Sequence, residues 1–503
     1  MKTNNLTINS VEQFNLWIDG TFSPSSNQNY FDCLNPSTGE LTAKIAQATV
    51  QDIHKAVESA RRAFDSGGWS SLTLKERGQY LTKIAHLIRE NAKVLADLEC
   101  LSTGKTIKQT TFIDVPTAAD CFEYFANVTE SLKGEQIAVS DPVLNVVHRE
   151  PVGVVACIIP WNYPLIMATW KIAPALIVGN TVVFKPSPLG SVSIMKMAQI
   201  IEKAGLPNGV LNFVTSSDPQ VSAELVKHPD VDMVSFSGGT ETGREIMRLA
   251  SATTKRICLE LGGKTPNIVF ADCDMEASVG GTLTSIFMNQ GQMCTAASRL
   301  LLEDKIYDEF LQKLIAKTKN LKIGNSFSYE TDFGPVISRE NRDKILKYID
   351  TAKKEGAKLV CGGKIPSGGE FQNGFYIEPT ILSDVKNSSM VAQEEIFGPV
   401  LSVIRFSSVE EAVQIANDSK YGLAACVWTK DLKKANSVAK QLRCGTVWIN
   451  TYGGFYNEVP FGGFKQSGFG RELGKEGLLE YTQTKNICTD MTPSGKSLVA
   501  SWF

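Results

Sequence analysis

The residue best suited to covalent chemistry is Cys294, which ends the run Asn289-Gln290-Gly291-Gln292-Met293-Cys294. A polar approach containing a glycine suits an accessible thiol, whose thiolate is a nucleophile. A small packed residue is the competing reading, because the chain holds 11 cysteines and cysteine is usually buried. The cysteines are scattered, with no CxxC and no paired spacing, so the sequence predicts neither a disulfide framework nor a zinc site, and no metal is expected. A cysteine protease would need a histidine in a catalytic setting, and His54, His86, His148 and His228 provide none. The second candidate is Ser237-Gly238-Gly239 before Thr240. Glycines where a strand turns into a helix let a phosphate reach backbone N–H groups at the positive helix end, although a plain tight turn would look the same.

These groups need elements to hold them. Helix and strand patterns alternate almost throughout, which predicts an α/β protein. Thr49 and Asp52 form a capping pattern, Ile53, Ala56, Val57, Ala60 and Phe64 recur at helical spacing, and Gly67 with Gly68 ends that helix. From Val152 the rhythm is regular: an apolar strand to Ile159, a helix around Trp170, a strand over 181–184, a helix ending near Gly205 and Pro207, and a strand over 209–214. Another helix leads to a strand over 231–236 and into the glycine turn, which reads as a nucleotide-binding parallel sheet.

The alternation restarts after Gly262 and Gly263 and runs to a strand over 446–450. The expected division is a dinucleotide-binding domain over 1–131 and 151–261, a catalytic domain over 262–450, and a return segment over 451–484. A small projecting sheet is expected from 132–150, strand-like around 143–148, and 485–503. Such a sheet has little core of its own, so pairing with another subunit is expected.

Composition bounds the function. A chain of 503 residues exceeds what one core organises, which predicts roughly two or three units. Lys+Arg 51 nearly balance Asp+Glu 53, which removes the electrostatic case for a nucleic-acid or anionic-membrane partner and leaves small molecules or copies of the chain. The first residues are polar, and no run of about 18 apolar residues occurs, so a cytoplasmic location is expected.

Seven separated segments, taken together and in order, resemble the aldehyde dehydrogenase superfamily across nearly the whole chain. They are Ile159-Pro160-Trp161-Asn162-Tyr163-Pro164, Phe184-Lys185-Pro186-Ser187, Phe236-Ser237-Gly238-Gly239, Leu259-Glu260-Leu261-Gly262-Gly263-Lys264, Gly291-Gln292-Met293-Cys294, Glu394-Glu395-Ile396-Phe397-Gly398-Pro399 and Pro460-Phe461-Gly462-Gly463. The resemblance implies a Rossmann-type cofactor domain, a second α/β catalytic domain and a small β oligomerisation element. It implies that Cys294 attacks the aldehyde carbon, that Asn162 and the Cys294 N–H hold the oxyanion, and that hydride loss leaves a thioester which Glu260, as general base, hydrolyses.

The same resemblance assigns cofactor contacts. Lys185 and Ser187 would meet the adenine ribose, Gly238 and Gly239 the pyrophosphate, and Glu395 with Phe397 the nicotinamide ribose, with Ile159 and Trp161 beside them. The expected cofactor is NAD. NADP stays open, because many NAD-using members carry a glutamate where this chain has Pro188, and the glycine-rich turn of relatives is replaced by Thr215-Ser216-Ser217-Asp218.

For the substrate, the nearest look is to betaine aldehyde and aminobutyraldehyde dehydrogenases, through Tyr163, Trp170, Trp448 and Phe461. Aromatic faces attract an ammonium group. These rings could equally line a tunnel for an apolar aldehyde, with Trp448 packed in the core, and several plant relatives carry tryptophan where Met288 stands here. Two alternatives to a hydrolytic aldehyde dehydrogenase remain: a noncatalytic protein on the same fold, and a coenzyme A-acylating relative, which commonly lacks the glutamate found at 260. A homotetramer or homodimer is implied by the resemblance alone.

Overall fold

The capping pattern at Thr49 forms as read: the Thr49 hydroxyl accepts the Asp52 N–H at 3.3 Å while the Asp52 carboxylate accepts the Thr49 N–H at 2.9 Å. The helix Val50–Asp65 buries Ile53, Ala56, Val57 and Ala60, and Gly67 turns the chain away with φ at 72°. The protein is described by a computed structural model over residues 11–128, 132–139 and 142–493, together with Val499. The remaining parts of the expected spans 1–131, 132–150 and 485–503 lie outside the described residues.

That helix packs on an eight-stranded sheet. Five of its strands are parallel: Val154–Ile158, Thr181–Lys185, Leu211–Phe213, Met233–Ser237 and Arg256–Glu260. The first pairs with both the second and the fourth, so the strand order reverses between Val154–Ile158 and Met233–Ser237. An open α/β sheet leaves a crevice outside the carboxyl ends of its strands at such a reversal, and ligands bind there. Alternation decides which side chains go where. Val154, Ala156 and Ile158 enter one core cluster while Val155 and Cys157 enter the other, so both faces are covered and the strand reads as a continuous apolar run.

A second sheet has seven strands, six parallel and one antiparallel at the edge, Lys358–Cys361. Its centre is Val400–Phe406, Arg299–Glu303 and Pro266–Val269. After its last strand, Thr446–Ile449, the chain comes back to the first sheet, where Gly468–Phe469 pairs antiparallel with Arg256–Glu260. A third sheet joins remote segments: Val143–Pro151 pairs with Thr482–Asp490 along nine residues and with Glu135–Ile137 on its other side. Its last strand begins at Thr482, three residues before the expected start, because the polar Thr-Gln-Thr opening has no apolar alternation to announce it. Among the described residues no helix is long and apolar enough to cross a membrane.

Candidate active site

The two large sheets meet around a cleft of about 600 Å³. Its walls come from the strand reversal and from the second sheet. Asn162 and Tyr163 follow Val154–Ile158, Gly238 and Gly239 follow Met233–Ser237, and Glu260 ends Arg256–Glu260. Cys294 precedes Arg299–Glu303, and Glu395 with Phe397 precede Val400–Phe406. Of the catalytic, cofactor and substrate candidates named from sequence, all line this cleft except Ile159, Lys185, Ser187 and Trp448. The first three sit where the strand ends continue: the Ile159 N–H donates to the Lys185 carbonyl at 3.2 Å, and the Ser187 carbonyl accepts the Ser191 hydroxyl. The Lys185 ammonium is buried and has only the Pro186 carbonyl at 3.3 Å, so burial pulls its pKa down to about 8. No carboxylate is placed to compensate it.

The thiol loop is held by its own amides. Asn289, Gln290 and Gly291 all have positive φ, at 47°, 54° and 70°, a conformation that costs energy at the two non-glycine positions and persists only where surroundings enforce it. Asn289 Nδ2 donates to the Asn162 carbonyl at 3.1 Å, and Asn162 Nδ2 donates to the Gln292 carbonyl at 2.9 Å. Gln292 Oε1 accepts the Ile337 N–H at 2.9 Å. The polar approach to Cys294 therefore is not a solvated one: Asn289, Gln290 and Gln292 are buried, Asn289 and Gln292 serve as loop ties, and Cys294 itself is half-buried in the cleft wall. The same bonds fix Asn162 relative to the thiol, with one amide hydrogen left over beyond the bond to Gln292.

Two glycines of the motifs are explained by close approach. A Cβ at Gly263 would collide with the Cys294 carbonyl oxygen, and one at Gly462 would stand 2.6 Å from Glu260 Oε1. At the glycine turn, the Gly238 N–H is spent on the Glu260 carbonyl at 3.0 Å, so the anion-facing donors are those of Gly239 and the first turn of helix Thr240–Ala250.

Burial dominates the electrostatics. Both Glu260 carboxylate oxygens are buried without a hydrogen-bond partner, and desolvation, reinforced by the charge of Glu472, holds the carboxyl well above the usual range. The Cys294 thiol is pushed up to about 12 by burial and by the neighbouring Glu395 and Glu260. Glu395 rises to about 7, again by burial, although its Oε1 accepts the Gly263 N–H at 3.1 Å.

Part of the same lining is aromatic. Trp170 lies 5.7 Å from Phe461 and 6.1 Å from Phe455, and those two rings are 5.4 Å apart, centroid to centroid. Trp448 is in the core: it packs behind Phe455 and Tyr452, and its indole N–H donates to the Gly454 carbonyl at 3.3 Å.

The family model described as "Aldehyde dehydrogenase family" matches residues 22–487. The chain belongs to the aldehyde dehydrogenase family. Betaine aldehyde dehydrogenase of Bacillus subtilis is 47% identical over 490 residues, covering 97% of this chain and 99% of that one. Human mitochondrial aldehyde dehydrogenase is 42% identical over 474 residues, covering 94% and 91%. A solved betaine aldehyde dehydrogenase of Staphylococcus aureus, in complex with NAD+, superimposes with a TM-score of 0.95 at 43% identity, covering 97% of this chain and 96% of that chain. The chain is thus an enzyme of the aldehyde dehydrogenase class with the fold that the sequence motifs imply: a Rossmann-type sheet, a second α/β unit and a small β element.

For an aldehyde dehydrogenase, sequence reasoning missed several cleft residues. Tyr452 and Phe455 lie in Thr451-Tyr452-Gly453-Gly454-Phe455, where aromatics around a glycine pair were the available signal. Asn341 and Lys344 share one face at i, i+3 in helix Arg339–Lys354, and Asn341 Nδ2 donates to the Phe397 carbonyl at 3.2 Å. Ile113 and Thr117 reach the cleft from a helix interrupted by the π-turn Thr110–Asp114, for which the sequence carries no simple mark.

Proposed function

We propose that this aldehyde dehydrogenase oxidises betaine aldehyde or an aminoaldehyde to its carboxylate, with NAD as the hydride acceptor and Cys294 as the nucleophile. The observation that carries the reading is the composition of one cleft, whose lining combines Cys294, Asn162 and Glu260 with the tilted and edge-to-face rings of Trp170, Phe455 and Phe461. Relatives named betaine aldehyde dehydrogenase support the substrate class, and ring faces supply the attraction for a quaternary or primary ammonium.

The residues suit a dinucleotide. Lys185 is a buried cation without a counter-charge, which favours an anionic or polyhydroxyl neighbour, Gly239 opens a helix N-terminus, and Glu395 with Asn341 and Lys344 offers acceptors and donors for a ribose. Bound there, NAD supplies the acceptor for the hydride. Pro188 leaves the adenosine side without the glutamate that repels a 2′-phosphate, so NADP is a weaker alternative cofactor.

The chain's own groups do the rest. The Cys294 thiol gives its proton to water in the cleft and its sulfur attacks the carbonyl carbon. The C=O π electrons move onto oxygen as an oxyanion held by the Asn162 amide and the Cys294 N–H, donors already fixed by the loop ties. Hydride loss to bound NAD would then leave the thioester. Glu260 takes a proton from the water that hydrolyses the thioester. Its carboxyl is held up by dryness rather than by a hydrogen-bond partner, so water entering the cleft lowers its pKa toward a useful base.

Ile113, Ile166 and Met167 on the same cleft favour a second reading, oxidation of apolar aliphatic or aromatic aldehydes. Initial rates across betaine aldehyde, aminobutyraldehyde, hexanal, benzaldehyde and succinate semialdehyde, with NAD and NADP in parallel, separate the two. Higher kcat/KM for betaine aldehyde than for its neutral carbon isostere, tert-butylacetaldehyde, is expected; a preference for the neutral compound gives the second reading, and no turnover with any aldehyde defeats both.

The assembly proposed is a homo-oligomer, a tetramer or dimer, formed through the three-stranded sheet. Ile137 and Ile487 are exposed on opposite faces of this thin element and Met491 is exposed beside it, apolar surface that the element has no core of its own to cover. A solution mass of one chain would contradict it.

A further inference from the structure

Behind Tyr163 lies a group of charges that the proposed reaction does not use. Lys105 is fully buried, and its ammonium donates to Glu99 Oε1 at 3.1 Å and to the Asp114 carboxylate, both also fully buried. The same ammonium stands 4.4 Å from the centroid of the Tyr163 ring. Burial alone would strip its proton, but Asp114 and Glu99 outweigh burial, and its pKa is raised.

Each partner belongs to a different segment. Glu99 is on helix Ala92–Thr103 and also accepts the Leu165 N–H at 3.4 Å and the Ser193 hydroxyl, which ties it to helices Pro164–Ile177 and Ser191–Glu202. Asp114 ends the π-turn Thr110–Asp114, directly after Ile113, which lines the cleft. Tyr163 adjoins Asn162, the oxyanion donor of the proposed reaction.

A buried ion cluster of this kind is a poor way to gain stability compared with apolar packing, and in some proteins such a cluster enforces one geometry over others. We propose that Lys105 is a positioning residue for the aldehyde end of the cleft, its ammonium locking the π-turn with Ile113 against the wall that carries Asn162 and Tyr163. The inference rests on the cleft being the aldehyde-oxidising site.

The test is steady-state kinetics on the full-length double variant Lys105→Met/Asp114→Asn, which removes one charge of each sign and so leaves the buried net charge unchanged. The expected result is a KM for betaine aldehyde and for tert-butylacetaldehyde raised about tenfold, with the KM for NAD little changed. Combining it with Tyr163→Leu should give no further rise, because both act through the same ring. Unchanged aldehyde KM values, equal increases in the aldehyde and NAD constants, or fold-changes that multiply in the triple variant would each overturn the proposal. If the double variant does not fold, Lys105→Arg keeps the charge with a different shape and is expected to raise aldehyde KM alone; an unchanged aldehyde KM there overturns the proposal equally. Wild-type enzyme in the same assay separates the two levels: no reduced cofactor with any aldehyde counts against the function itself, whereas normal wild-type turnover with unaffected variants counts against Lys105 only.

Discussion

Two parts of the cleft lining are built on opposite principles. Around the thiol three polar side chains have specific ties, Asn162 to the Gln292 carbonyl, Asn289 to the Asn162 carbonyl and Glu395 to the Gly263 N–H, with glycines where a side chain would collide. In the aromatic part Trp170, Phe455 and Phe461 pack against one another at 5.4 to 6.1 Å, and any one ring has neighbours that can partly take its place. The first arrangement tolerates no substitution because reacting atoms must meet at fixed distances. The second is a surface, where attraction is shared and discrimination is graded. Chemistry should therefore be brittle and specificity soft.

The sharpest way to break that contrast is Cys294→Ala. Aldehyde oxidation should fall by about a thousandfold or more while NAD binding persists, checked by turnover and by fluorescence titration; normal turnover would remove the thiol from the mechanism. Next in size is Glu260→Gln, which should slow steady-state turnover roughly a hundredfold but leave a rapid burst of reduced cofactor, since thioester hydrolysis and not hydride loss needs the base. Equal slowing of burst and turnover, read by stopped flow, would place Glu260 elsewhere in the sequence of steps.

Softness in the aromatic part is tested by Trp170→Ala. The ratio of kcat/KM for betaine aldehyde to that for tert-butylacetaldehyde should drop by about tenfold at most, because Phe455 and Phe461 remain; a total loss of activity would make the ring as indispensable as the thiol. The smallest effect expected is in pH. Glu395 titrates at about 7, and only its ionised form accepts two ribose hydroxyls well, so NAD affinity should weaken as pH falls through about 7 and hold steady above it. Glu395→Gln should flatten that profile, measured as Kd by titration.

The same contrast explains what the sequence reveals. Cys294, Asn162, Glu260, Gly238, Gly239, Glu395 and Phe397 stand in short motifs, because fixed geometry needs particular neighbours within a few residues, and the cleft brings all of them together. The central strands were also legible, since apolar runs covered on both faces leave a plain signal. The aromatic part was only half legible. Trp170 and Phe461 were singled out, but Tyr452 and Phe455 were not, and Trp448, a ring of the same type, sits behind the wall instead of in it. A ring's sequence position does not say which of several close-packed rings faces the cavity. Ile113 and Lys105 were invisible for another reason: one depends on a π-turn, the other on carboxylates brought together by folding.

The central claim is that a covalent bond to Cys294 carries the oxidation. Its most direct test is to quench the Glu260→Gln enzyme with betaine aldehyde and NAD during the burst and weigh its peptides. An acyl adduct on the Cys294 peptide, absent without NAD, is the predicted result; a full burst with no adduct there, or an adduct on another residue, would contradict it.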